Sequence, residues 1–227
     1  MKTCIKNIKR AVLCGLLTLA MSSTALAAPN PTLTQMITAG VLSTDILDAS
    51  RNPVAAPSVA MSTKAFAIDC QTGVNSSSGI LGTDSQRLYV NNPGGANNGW
   101  TLTLAATSGP TSTWANAGAT NKFDFNDPSA CTDGADADTQ SGQLSLDPSV
   151  GTLTTDCSVC TTTGVTKGAS SAFSEGVTNS LTVLSAAAGS DDVWRGYLTG
   201  GSIKQVIPGE TPADSYTINL TLTATAL

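Results

Sequence analysis

Tyr216-Thr217-Ile218-Asn219-Leu220-Thr221-Leu222-Thr223-Ala224-Thr225-Ala226 decides the fold class of this 227-residue chain. Tyr216, Ile218, Leu220, Leu222, Ala224 and Ala226 share one face of an extended strand, and Thr217, Asn219, Thr221, Thr223 and Thr225 share the other. A helical period would scatter both sets around a cylinder; a period of two sorts them onto two faces. Trp100-Thr101-Leu102-Thr103-Leu104 repeats the pattern. Shorter strands are expected at Ala65–Asp69, Arg87–Asn91, Lys122–Phe125, Gln143–Asp147, Asn179–Leu184 and Ile203–Ile207, with a looser one over Gln35–Asp48 turning at Gly40. The only helix candidate is short, over Thr44–Ala49. Turn-rich stretches such as Asn91–Gly99 and Ala106–Gly118 separate these segments. Many short strands with Gly, Asn and Pro punctuation predict an all-β protein, an antiparallel sandwich of jelly-roll type with long loops. The long final strand is expected inside a sheet, because an exposed apolar edge invites aggregation.

The N-terminus has a different character. Lys2, Lys6, Lys9 and Arg10 form a basic start, Ala11–Leu19 is apolar, and Ala25-Leu26-Ala27 offers a small-x-small cleavage site. Residues 1–27 therefore read as a secretory signal peptide, with residues 28–227 as one exported domain. The apolar run is broken by Ser22, Ser23 and Thr24 and falls short of the ~20 residues a membrane span needs. Cys14 follows Leu13 within the apolar run, where a lipid-attachment site wants a small residue. Loss of the leader takes 4 of the 11 basic residues and none of the 16 acidic ones, moving the net charge from −5 to −9. Such a surface argues against nucleic acid or anionic membrane as partners.

Cysteine use fits export. Cys4 and Cys14 lie in the leader, leaving Cys70, Cys131, Cys157 and Cys160. An even number in an oxidising compartment points to two disulfides, with three connectivities open. A redox centre at Cys157-Ser158-Val159-Cys160 would want a following helix to lower the thiol pKa. A four-thiolate zinc site would want a second close pair.

Asp124, Asp127, Asp133, Asp136 and Asp138 crowd into fifteen residues around Gly134. Calcium takes six to eight oxygen ligands, and closely spaced carboxylates on a Gly-containing loop supply them, so calcium is the expected cofactor. The spacing is not that of an EF-hand. The alternative is a solvated loop whose Asp side chains close Asx-turns. Catalytic patterns are sparse. The chain has no His, which excludes Ser-His-Asp and Cys-His arrangements, and no phosphate-binding Gly-rich loop occurs. A carboxylate pair acting on sugars stays formally open.

Two motifs carry a resemblance. Trp100-Thr101-Leu102 in a Gly-preceded strand, with the terminal Tyr216-x-x-x-Leu220-Thr221-Leu222-x-Ala224, resembles the WxL-domain surface proteins of Gram-positive bacteria. Ile37–Ser43 is similar to the opening strand of such domains. Leu222 and Ala224 stand where the family has Trp and Leu. The resemblance implies a non-catalytic cell-surface protein held non-covalently on peptidoglycan or on partner surface proteins, with Trp100, Leu102, Tyr216, Leu220 and Leu222 as contact residues. Trp100 has an alternative reading as a core residue, since it alternates with Leu102 and Leu104. Two other functions are carried beside this one: a subunit of a pilus, filament or surface layer assembled by strand pairing, and a glycan-active enzyme.

Overall fold

In the computed structural model, residues 34–36, 40–94, 98–134, 139–189 and 193–227 are described. The leader read over residues 1–27 lies outside them, as do Asp136 and Asp138. The chain divides after Ile37, and Thr38–Leu227 forms one unit.

The described chain is all-β, and every paired strand is antiparallel. One sheet has the order β1 (Ser43–Leu47), β3 (Arg87–Asn92), β12 (Trp194–Thr199), β8 (Thr152–Thr155). A second runs β10 (Ser171–Ala172), β7 (Gln143–Asp147), β13 (Gly201–Val206), β2 (Ser77–Leu81). A third runs β15 (Leu220–Ala226), β4 (Trp100–Ala106), β11 (Ser180–Ala186), β9 (Val165–Lys167). A small fourth sheet joins β14 (Tyr216–Thr217), β5 (Trp114–Asn116) and β6 (Lys122–Phe123). Inward side chains of the three larger sheets meet in one core, consistent with a β-sandwich.

The alternation in β4 explains its place. Trp100, Leu102, Leu104 and Ala106 are buried while Thr101, Thr103 and Ala105 are half-exposed. β15 pairs with it residue for residue, Leu220 with Ala106 through Ala226 with Trp100. Gly99 starts the strand at φ +83°, and a Cβ there would stand 2.5 Å from the Ala186 carbonyl oxygen. β11 departs from strict alternation. Its register shifts between Thr182 and Leu184, a bulge that turns consecutive Val183 and Leu184 both inward.

Four expectations are corrected. The final strand divides, with a break at Ile218-Asn219, and β15 lies at a sheet edge. Its Thr residues keep that edge polar: Thr221 Oγ1 shares a 2.8 Å hydrogen bond with Thr107 Oγ1. Ala65–Asp69 is loop, tied down by Glu210 N donating to the Ala67 carbonyl. Thr44–Ala49 is no helix, because Ser43–Leu47 is claimed by β3. In the looser pattern over Gln35–Asp48, strand is confined to Ser43–Leu47 among the described residues. The expected disulfides form as Cys70–Cys131 and Cys157–Cys160. Among the described residues no helix is long and apolar enough to cross a membrane.

Candidate functional site

The residues singled out from the two Trp-x-Leu-like motifs separate in space. Trp100 and Leu102 are 0% exposed. The Trp100 ring lies 5.3 Å from that of Trp194, tilted by 42°, so its whole face is spent on the core. Tyr216, Leu220 and Leu222 stay half-exposed and line a cleft along β14 and β15.

The cleft has two chambers that share Met61, Trp114 and Tyr216. The first, of about 290 Å³, is aromatic and polar. Its floor follows from cross-strand pairing. Trp114 stands opposite Phe123 in the β5–β6 ladder, and the rings stack with centroids 5.8 Å apart and planes 12° apart. Phe123 meets Tyr216 edge-on at 5.0 Å. Trp114 is held by its indole N–H, which donates to Gln205 Oε1 at 2.8 Å. Buried Gln205 in turn donates from Nε2 to the carbonyls of Asp124 and Val206, so the platform is fixed from beneath. Loop 61–67 also lines the chamber, with Lys64 and Phe66, the latter 58% exposed.

Asp214 gives this chamber its negative charge. Hydrogen bonds from Asn116 Nδ2 (2.7 Å) and the Ser215 backbone hold its carboxyl below the usual range. Burial and that neighbouring charge push the Tyr216 phenol up, so Tyr216 stays protonated and donates to the Pro212 carbonyl at 2.7 Å.

The second chamber, of about 460 Å³, is apolar. Ile46, Val59, Met61, Ile80, Ile218, Leu220 and Leu222 are among the residues that line it. Among the described residues no charged side chain lines it.

The acidic stretch lies elsewhere. Asp124 and Asp127 are buried and Asp133 is exposed; Asp136 and Asp138 lie outside the described residues. Among the described residues no three of His, Cys, Asp and Glu gather as a metal cluster. Beside the Cys157–Cys160 disulfide, Asp156 takes hydrogen bonds from Arg51 Nη2 (2.5 Å) and Tyr89 Oη (3.1 Å). Arg195 donates from Nε and Nη2 to the Asp156 backbone carbonyl. Burial pushes the Asp156 carboxyl up, but these partners and the two guanidinium charges outweigh it and leave it lowered.

Phe66, Trp114 and Phe123 escaped sequence reasoning. Trp114 lies in a stretch that reads as turn, and only the pairing of β5 with β6 reveals that two aromatics nine residues apart form one surface. No family model matches the chain, and neither a curated protein nor a solved structure matches it.

Proposed function

We propose that this chain is an exported, non-catalytic surface protein that attaches to cell-wall polymer through the cleft along β14 and β15. The carrying observation is the aromatic chamber, lined by Trp114, Phe123 and Tyr216, whose rings contact one another in turn, and by exposed Phe66. Sugar rings offer C–H faces to aromatic rings and hydroxyls to flanking polar groups, and this chamber supplies both, with Asp214, Lys64, Thr63 and Thr211 at its margins. The disulfides and the leader read over residues 1–27 fit an extracellular setting. Co-sedimentation with purified peptidoglycan tests the reading. The protein is expected to pellet with the wall, and Phe66→Ala or Tyr216→Ala to weaken retention by about tenfold. Retention unchanged in both variants, or no pelleting at all, refutes it.

The apolar chamber favours a second reading, a filament or surface-layer subunit. It lies beside β15, whose outer edge has no partner strand among the described residues, an arrangement suited to receiving an extended segment of another protein. Electron microscopy of the cell surface separates the two readings, since ordered polymers are expected only for the second.

A further inference from the structure

Among the described residues every sheet edge but one is guarded. β9, β10, β14 and β6 have three residues or fewer, and β8 has four. On β1, Val54 N donates to the Ile46 carbonyl, and Asp45 adds a charge. On β2, Ser62 N donates to the Ser78 carbonyl at 2.7 Å, and Ser62 Oγ accepts from Ser78 N at 2.9 Å. Short length, charge and a covering segment are the ordinary protections of an edge. β15 has seven residues without charge, Pro or bulge. Its register shows which backbone groups are free. Thr107 N donates to Asn219 O and Leu227 N to Gly99 O, so the alternate residues Thr221, Thr223 and Thr225 bond to β4. Leu220, Leu222, Ala224 and Ala226 turn their N–H and C=O groups outward, where no strand among the described residues receives them.

The side chains on that edge add a second demand. Ile218, Leu220, Leu222 and Ala224 pack against the core, and beside them opens the apolar chamber of about 460 Å³. Buried Leu81, Leu88, Leu104 and Ile203 also line it, so the chamber reaches into the core. A free backbone ladder beside such a chamber suits an extended peptide with apolar residues at alternate positions. Main-chain bonds give it affinity, and the chamber gives it selectivity. The chain itself holds such a segment. Residues 28–44 carry no charged side chain, which matches the chamber. Within them Leu33, Ile37 and Ala39 fall at even spacing with Gln35 between, and residues 33–39 equal β15 in length.

We propose that residues 33–39 of a second copy of this chain add to the outer edge of β15, with Leu33, Ile37 and Ala39 over the apolar chamber. This contact rests on the reading of the chain as a subunit joined by strand pairing. Strand direction favours a second copy over the chain's own segment. Gly40 N donates to Pro93 O, just past the end of β3. At that end Asn92 pairs with Trp194, whose ring meets Trp100, and Trp100 pairs with Ala226. The chain's own segment, traced back from Gly40 along β15, would lie parallel to it. Every pairing in the described fold is antiparallel, the more stable sense, and the segment of a second copy is free to enter that way.

The test is sedimentation velocity of the secreted chain, both disulfides formed, over a concentration series. Ala224→Pro removes an outward N–H at an edge, where Pro is tolerated, and keeps the bonds to β4. Ile37→Asp places a charge on the incoming segment. The parent is expected to associate as concentration rises. Each variant alone is expected to stay monomeric, with the near-ultraviolet circular dichroism of the parent. Mixed, the two are expected to form dimers and nothing larger, because one keeps a working edge and the other a working segment. A synthetic peptide of residues 31–41 is expected to dissociate the parent's oligomers, and the same peptide with Ile37→Asp to leave them intact. A parent that stays monomeric overturns the proposal, as does an inert peptide. Association of Ile37→Asp alone also overturns it, and would show two β15 edges pairing directly. The filament reading fails separately. Mixed dimers without ordered parent polymers in electron micrographs remove that reading and keep this contact; polymers that persist with Ile37→Asp keep that reading and overturn this contact.

Discussion

At the scale of single residues, Trp100 and Tyr216 show how far an alternating pattern can be read. Each begins a strand of alternating large and Thr side chains, yet Trp100 lies in the core and Tyr216 in a cleft. Alternation tells which residues share a face; whether that face meets another sheet or solvent depends on strands elsewhere in the chain. Truncation separates the two roles. Trp100→Ala is expected to cost about 3–5 kcal/mol in urea unfolding, by emptying the space against Trp194 and Leu102. Tyr216→Ala is expected to spare most stability and to weaken polymer retention by about tenfold. A third residue governs acid response. Asp156 has a folded-state pKa below its unfolded value. Its stabilising effect is therefore present above the ordinary carboxylate range and lost as pH falls through the depressed value. Asp156→Asn is expected to flatten the fall of Tm with acidification across that window, as a pH series of melting curves would read.

At the scale of elements, strands were legible where large apolar residues alternate with Thr or Ser, as in Gln143–Asp147 and Trp100–Ala106. They were illegible where the buried partner is small. Ser77-Ser78-Gly79-Ile80-Leu81 becomes β2 because β13 pairs along it, and its Ser and Gly give no apolar signal. In β12 Gly196 occupies an inward position because the Trp194 ring lies over it; a Cβ would stand 2.6 Å from that ring. The acidic stretch was legible as a cluster, but the backbone hydrogen bond from Glu175 N to the Asn126 carbonyl was not, because those segments lie far apart in the sequence. Disulfides follow the same division: their number was readable, their pairing not. Cys70–Cys131 joins residues 61 apart and Cys157–Cys160 residues 3 apart. Loop-closure entropy predicts a stabilisation of about 4 kcal/mol for the first and about 2 kcal/mol for the second. Paired Cys→Ser variants compared by guanidinium unfolding are expected to fall in that order, and the reverse order would show that native-state strain dominates.

At the scale of the whole molecule, the central strands are partnered by segments remote in sequence: β3 by β12, β7 by β13, β4 by β11 and β15. Such topology closes large loops before it gains contacts, so refolding is expected in milliseconds to seconds or slower, with intermediates, in stopped-flow fluorescence. Deleting Leu220–Leu227 bares the outer edge of β4 and uncovers apolar side chains of the core. The shortened chain is expected to lose cooperative unfolding and to associate, visible as a broad melt and early elution in size-exclusion chromatography.

The pairing of β4 with β15 also imposes a schedule. Roughly 120 residues separate the two strands, and ribosomes deliver chain at about 5–20 residues per second, so β4 waits on the order of ten seconds for its outer partner. During that interval its backbone donors and acceptors on that side remain unclaimed. The third sheet thus stays pliable and half-built until residues 220–226 arrive, and its completion becomes the event that commits the protein to its folded form.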